Sequence, residues 1–369
     1  MANISKRPNG KWRARFRDDI GRERARHFDR KVDAQRWLDE QTAALVTGQY
    51  VDPSAGKITF REYAEQWRRD QLHHRKGTAK QAESRLRLWV YPRIGERPMS
   101  SIRRSDVQRV VTLAAEKLAA STVEVAYAYV AGVFKAAVID RVIVSSPCVK
   151  IKLPQKRSGR VTPLTTEQVG LIADQVDPRY RALVLFAAAT GLRSGELRGL
   201  TIDRLSPALH LRSDMPPQKA IVRVDRQMAE VDSDDRPVFA PVKTAAADRS
   251  VPVGTSVTRL LVDHLAAYGH GHGGLVFTAK GGVPISRSQA GHIWRPAVKD
   301  MGLRPRSGWH DLRHFHASLL ISDGLSPRAV ADRLGHEDVA ETLRTYAHLW
   351  PTDEDRALAA TEAELRHVI

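Results

Sequence analysis

A multidomain α+β fold is predicted, with a small N-terminal β-sheet domain, an all-α middle domain and a mixed, mainly α C-terminal domain. Three observations predict it. The chain has 369 residues, more than one hydrophobic core usually organises. Its apolar residues change period, from alternation near the N-terminus to helical spacing after residue 58. The stretch "SSPCVKIKLPQKRSGRVTPLTTEQ", rich in Pro, Ser and basic residues, then separates the helical region from one that mixes helices with short strands. The boundaries drawn on these grounds are 1–57, 58–153 and 154–369.

In "KWRARFR", Trp12, Ala14 and Phe16 alternate with Lys11, Arg13, Arg15 and Arg17, the period of a strand with one basic face. "DDIG" turns the chain. "RERARHF" follows with Arg22, Arg24 and Arg26 on one side, so a small sheet is expected to offer a row of guanidinium groups to DNA phosphates. The alternative is an edge strand kept soluble by charge. Ala34, Trp37, Leu38 and Leu45 mark a helix stopped by Gly48, and "GQYVDPSAGK" reads as a linker.

Phe60, Tyr63, Ala64 and Trp67 fall at the spacing of one helix face. Three further helix starts are expected from capping boxes: Thr78 with Gln81, Ser105 with Gln108, and Ser121 with Glu124. Arg85, Arg87, Arg103, Arg104 and Arg109 decorate this bundle, and Arg85 and Arg103 are taken as DNA contacts. Beyond the linker, "PRYRALVLFAAATG" is a buried helix ended by Gly191. "KAIVRVDRQM", "PVFAPV" and "RSVPV" read as strands, with Lys243 at the hairpin tip between the last two, and the loop "GHGHGG" precedes a strand "LVFTA".

A net charge of +17 and a pI near 10.2 point to a polyanionic partner, since clustered Lys and Arg gain free energy by displacing counterions from phosphates. The excess is +5 over 1–57, +9 over 58–153 and +3 over the rest, so it concentrates where DNA contact is expected. No run of eighteen apolar residues and no signal peptide are visible, so no membrane partner is expected. Cys148 is the single cysteine, which excludes an internal disulfide and suits a reducing compartment. The expected location is the cytoplasm.

Four segments in this order, "ATGLRSGELRGL", "PVKTAAADRSVPV", "HDLRHFHASLL" and "LGHEDVAETLRTYAHL", resemble the tyrosine recombinases of the phage-integrase type. "NGKWRARFRDDIGRERARHF" and "ITFREYAEQW" resemble the arm-binding and core-binding parts of the longer integrases, so the resemblance spans nearly the whole chain. It implies an arm-site binder, a SAM-like core-site binder and a catalytic domain of the tyrosine recombinase fold. It implies that Arg193, Lys243, His310, Arg313 and His336 surround the scissile phosphate while Tyr346 attacks it. The expected partner is double-stranded DNA carrying core-type and arm-type sites, bound by a homotetramer. A DNA-bending host factor and a directionality factor are further expected partners, in a bacterial host cell whose nucleoid the bound protein would join. Strand exchange would pass through a 3′-phosphotyrosine and a Holliday junction, and the tail "DEDRALAATEAELRHVI" would be a helix that docks on a neighbouring protomer or on its own domain.

The chemistry asks for these residue types on its own account. A phosphodiester gains negative charge in its five-coordinate transition state, so two guanidinium forks at the nonbridging oxygens stabilise it. Arg193 and Arg313 fit that task, although Glu196 and Asp311 stand near enough in sequence to claim them as ion pairs. A phenol with a pKa near 10 needs a proton acceptor, for which His310 is the first choice, one helix face with Arg313. The 5′ oxygen needs a proton donor, for which Lys243 is the family-like choice. "HDLRH" imitates half a zinc site, but Asp311 replaces the expected Glu and Arg313 would be repelled, so no metal is expected. No cofactor is needed, since exchanging one ester for another retains the energy of the broken bond.

One alternative is a helix-turn-helix regulator without cleavage activity: "SPRAVADRLGHEDVAETLRTYAHL" has Ser326 as cap, Pro327 in the first turn and Gly335 at the corner. Such a protein has no use for Arg193 and Lys243. A resolvase or invertase is the other alternative, and would lack the basic N-terminal sheet.

Overall fold

The computed structural model describes residues 2–48, 50–155, 160–206, 219–304, 307–350, 354–366 and 368. The chain forms two compact units, Met1–Ser158 and Gly159–Ile369.

The first unit opens with strands β1 (Asn3–Lys6), β2 (Trp12–Arg17) and β3 (Glu23–Phe28), an antiparallel sheet in that order, followed by helix α1 (Lys31–Val46). Ala14 and Phe16 are buried against Ala34 and Leu38, as the alternation predicts. The register corrects the face assigned to the second run of arginines. Phe16 pairs with Arg24 and Ala14 with Arg26, and paired residues share a face, so these two arginines lie on the α1 side, opposite Arg13, Arg15 and Arg17. Arg24 is held there by Asp18 at 2.9 Å and by Asp52. The supposed linker also begins inside this core, because Tyr50 is buried with its ring edge-on to Phe16 at 5.5 Å.

The helical part comprises α2 (Phe60–Asp70), α3 (Lys76–Arg85), a widened π-type continuation Leu86–Gly95, α4 (Arg104–Ala115) and α5 (Ala120–Ile139). None of the three expected capping boxes forms: Thr78, Ser105 and Ser121 all fall inside their helices, whose caps are Arg75, Arg103 and Ala119. The box that does form is Thr59 with Glu62, worth about 1 kcal/mol to the start of α2. α5 is long and apolar enough to cross a membrane by length and composition. Here its Val130, Val133 and Phe134 pack against Phe60, Leu86 and Val90 in the core of the bundle.

The second unit runs α6 (Thr166–Gln175), α7 (Pro178–Thr190), α8 (Ser194–Arg198), β4 (Leu205–Ser206), β5 (Ala220–Val224), β6 (Arg226–Val231), β7 (Pro237–Pro241), β8 (Arg249–Val253), α9 (Thr255–Tyr268), α10 (Arg287–Ala297), α11 (His310–Ser322), α12 (Pro327–Leu334), α13 (Val339–Tyr346) and α14 (Glu354–Leu365). Its core joins Leu183, Phe186, Val222, Val251, Phe277 and Leu312. "KAIVRVDRQM" is two strands rather than one: β5 lies between β4 and β8, while β6 pairs with β7. Lys243 therefore sits in the crossing from one sheet to the other, not at a hairpin tip. "LVFTA" is no strand either. Leu275, Val276 and Phe277 are buried, but only isolated bridges, Thr201 to Leu275 and Thr278 to Pro284, pair this stretch. α14 is the expected tail helix, with Leu358 and Leu365 exposed.

Candidate active site

Local sequence places each functional group. Asp177 caps α7, Pro178 occupies its first turn, and Gly191 ends it with a φ of 65°. The chain emerges directly into Arg193, whose backbone N–H donates to Glu196 at 3.0 Å and so starts α8. The Arg193 guanidinium donates through Nη1 to Glu196 at 3.0 Å and through Nη2 to the Gly335 carbonyl at 2.9 Å. Glu196 thus is an ion-pair partner of Arg193, and it also receives Nη2 of Arg249 at 3.0 Å. Burial alone would raise the Glu196 carboxyl pKa, but Arg249 and Arg193 hold it below the ordinary range. Arg249 further donates to the carbonyls of Arg333 and Ala247, each at 3.0 Å.

α11 starts at His310, where Asp311 accepts from Ser307 at 2.7 Å and from the Gly308 N–H at 3.0 Å, and pairs with Arg304. Asp311 is therefore no partner of Arg313. Arg313 is 1% exposed and donates through Nη1 to the Gly191 carbonyl at 2.8 Å. Its Nη2 has no hydrogen-bond partner among the described residues. A buried donor without an acceptor is costly and rare, which makes Nη2 a position awaiting an anionic oxygen. Burial, then Arg193, pushes the Arg313 pKa down to about 9, still cationic at neutral pH.

His310 keeps an exposed face, and the protein packed around it, followed by Arg313, lowers its pKa. Its ring stands edge-on to His314, with 4.6 Å between centroids. His314 is buried, and its Nδ1 lies 2.8 Å from the hydroxyl of Tyr346. Tyr346 is 1% exposed, its ring packed on Ala317, Ile321, Val330 and Leu334, and burial raises its pKa to about 12 although Arg313 opposes the rise.

The pair α12–α13 matches the helix-turn-helix pattern in its local signals. Ser326 caps through the Ala329 N–H at 3.2 Å, and Gly335 turns the corner at a φ of 69°. Next to it His336 is buried, its Nδ1 2.6 Å from Thr342 Oγ1. Burial, then Arg313 and Arg193, lowers the His336 pKa to about 3, so the ring is neutral. Tyr346, at the end of α13, turns inward to His314 rather than outward as a base-reading residue would.

Of the residues expected from sequence, Arg193, His310, Arg313, His336 and Tyr346 come together. Lys243 is exposed in the crossing whose Ala246 and Ala247 approach Gly335 so closely that a Cβ there would lie 3.0 Å from both. His316 is buried, with Nδ1 at 3.1 Å from the Ala188 carbonyl, and His348 is exposed, with Nε2 at 2.9 Å from the Val161 carbonyl. Sequence alone leaves the role of His314 open; the spacing four residues past His310 is the signal that it shares that helix face, and the structure makes it the partner of Tyr346. Arg249 had no signal beyond a charged residue opening an apolar strand.

The expected DNA contacts are dispersed. Arg13 and Arg15 share the outer face of the N-terminal sheet and pair with Glu23 at 2.8 and 3.4 Å, while Arg17 donates to the Gly21 carbonyl at 3.1 Å. Arg22 is exposed in the turn before β3, and Arg24 is tied up by Asp18 and Asp52. Arg85 is half-buried at the end of α3, and Arg103 is exposed at the cap of α4.

Residues 60–153 match the phage integrase central domain, and residues 221–352 match the phage integrase family. The chain is 27% identical to the integrase of Mycobacterium phage D29 over 91% of its length and 89% of the relative's. It is 26% identical to the putative prophage phiRv2 integrase of Mycobacterium tuberculosis H37Rv over 97% and 93%. Among solved structures, the Tn1549 transposon integrase in complex with transposon right end DNA superposes with a TM-score of 0.69, at 21% identity, over 83% of this chain and 100% of that one. A lambda integrase tetramer bound to a Holliday junction superposes with a TM-score of 0.57, at 15% identity, over 92% and 94%.

Proposed function

Because the chain belongs to the phage integrase family of tyrosine recombinases, we propose that it is the integrase of a phage or integrative element, and that Tyr346 opens the DNA strand. The phenolic oxygen attacks the scissile phosphorus, forming a 3′-phosphotyrosyl ester while the 5′ oxygen leaves. Arg193 and Arg313 hold the nonbridging oxygens, with the unpartnered Nη2 of Arg313 as the best-placed donor. His336, neutral and bound through Nδ1 to Thr342, carries its proton on Nε2, which lies 3.8 Å from Glu341 and donates to the same phosphate when DNA is bound. His310 completes the cradle from its exposed side, and Lys243 protonates the leaving oxygen. The observation that carries this reading is the bond from Arg193 to the Gly335 carbonyl, which ties the arginine after α7 to the turn bearing His336.

The N-terminal sheet is the arm-site binder, residues 58–153 the core-site binder, and residues 154–369 the catalytic domain. Four protomers on two sites exchange strands in pairs through a Holliday junction, on the chromosome in the cytoplasm of a bacterial host, with a bending protein and a directionality factor as accessory partners. A regulator that binds DNA without cutting it is not favoured, because it gives no role to a buried tyrosine hydroxyl joined to a histidine beside two arginines. The test is recombination between two duplexes carrying the element's attachment sites. Joined products are expected without nucleotide and in the presence of EDTA; an absolute requirement for ATP would contradict the reading.

A further inference from the structure

We propose that His314 is the proton acceptor for Tyr346, a catalytic role that rests on Tyr346 being the nucleophile. Among the described residues, the hydrogen-bond partner of the phenolic oxygen is His314 Nδ1, at 2.8 Å. His310, the first choice from sequence, meets the His314 ring edge-on, with 4.6 Å between centroids. An acceptor must reach the proton it removes, and of the two histidines His314 is the one in contact.

The surroundings of His314 suit the task. It faces His310, Asp311 and Arg313 from its own helix, Arg304 from the segment before it, and Tyr346 from α13. Burial, then His310, lowers its pKa to about 4, so its lone pair is available at neutral pH. Proton transfer from a phenol near 12 is uphill before DNA arrives. It becomes favourable as the phenolic oxygen bonds to phosphorus and ceases to be a strong base, while the growing charge on the phosphorus oxygens stabilises the imidazolium. The balance is complete: the phenol O–H breaks and its proton moves to Nδ1, the oxygen–phosphorus bond forms, and the P–O5′ bond breaks with its electron pair on O5′, which takes a proton from Lys243. Rejoining runs the same steps backward.

Two scissile linkages separate the roles, the natural phosphodiester and a 5′-bridging phosphorothiolate, whose thiolate leaves without a proton. Each is placed in a nicked duplex and cleaved by the full-length protein. Lys243→Ala is expected to be slow on oxygen and restored on sulfur. His314→Ala and His314→Asn are expected to lose about 100-fold in adduct formation on both linkages, with unchanged DNA affinity and rates that climb with pH as hydroxide substitutes for the base. The Asn variant keeps a hydrogen-bond acceptor where Nδ1 stood, so it reports on proton transfer even if the Ala variant misfolds. Wild-type rates for His314→Asn would reduce His314 to an orienting bond, and rescue of either variant by sulfur would move its proton to the leaving group; each overturns the proposal. A wild-type protein that formed no adduct would instead overturn the nucleophile reading, and this proposal with it.

Discussion

Arg193 donates to the carbonyl of Gly335 at 2.9 Å across a sequence separation of 142 residues. That bond couples the turn after α7 to the turn before α13, and so couples the guanidinium proposed to hold the phosphate to the helix that ends in Tyr346. Lysine at 193 keeps the charge but has no planar fork to serve Glu196, Gly335 and a phosphate together. Arg193→Lys is expected to lower the rate of covalent adduct formation about 100-fold with DNA affinity retained, as gel shift and denaturing gel measured side by side can check.

Gly335 is a second point of tight coupling. Its φ is 69°, and a Cβ would meet Arg249 Nη1 at 2.8 Å and the backbone of Ala246 and Ala247 at 3.0 Å. Gly335→Ala should therefore lower the unfolding free energy by about 2 kcal/mol, read by urea titration, and slow cleavage because His336 is displaced. An alanine variant as stable and as active as wild type would rule out this packing.

Glu196 supplies a pH signature. Its pKa is held below the ordinary carboxylate value despite burial, by Arg249 and Arg193. A folded-state pKa below the unfolded one adds stability that is present above the unfolded value and lost as pH falls through the folded value. Glu196→Gln removes that contribution and leaves Arg249 buried without its anion, at a cost of about 3 kcal/mol near pH 7. In urea unfolding, the gap between wild type and variant should be wide at neutral pH and close in acid below about pH 4.

The N-terminal arginines divide by face. Arg15 and Arg17 lie on the outer face of the sheet, whereas Arg24 holds Asp18 and Asp52 beside its core. Arg15→Ala and Arg17→Ala should each reduce the salt slope of arm-DNA binding by about one, leaving the melting temperature unchanged. Arg24→Ala should lower the melting temperature. Equal effects of all three on the salt slope would refute the division.

What could be read from sequence follows the reach of each signal. Period-two alternation fixed the buried face of β2, because Ala14 and Phe16 define it locally. It misassigned Arg24 because face is set by register against β2, and no residue of β3 except Phe28 is apolar and bulky. The capping boxes failed at Thr78, Ser105 and Ser121 because a hydroxyl three residues before Gln or Glu also occurs inside a helix, where it caps nothing. Adjacent strands usually pair, which predicts a hairpin at Lys243, while here β8 pairs with β5 and β7 with β6. The motif residues were legible as chemistry, but the partner of Tyr346 was not: His310 and His314 lie one helical turn apart, and which of them meets the hydroxyl depends on where α13 packs.

The most direct measurement is covalent capture of the strand by Tyr346. A nicked duplex carrying the recombination site, incubated with the wild-type protein and then denatured, is expected to yield a protein–DNA adduct whose phosphotyrosine maps to the peptide containing residue 346. Tyr346→Phe is expected to bind the duplex and form none. An adduct of normal yield from the Phe variant, or one mapped to another side chain, would contradict the account at its centre.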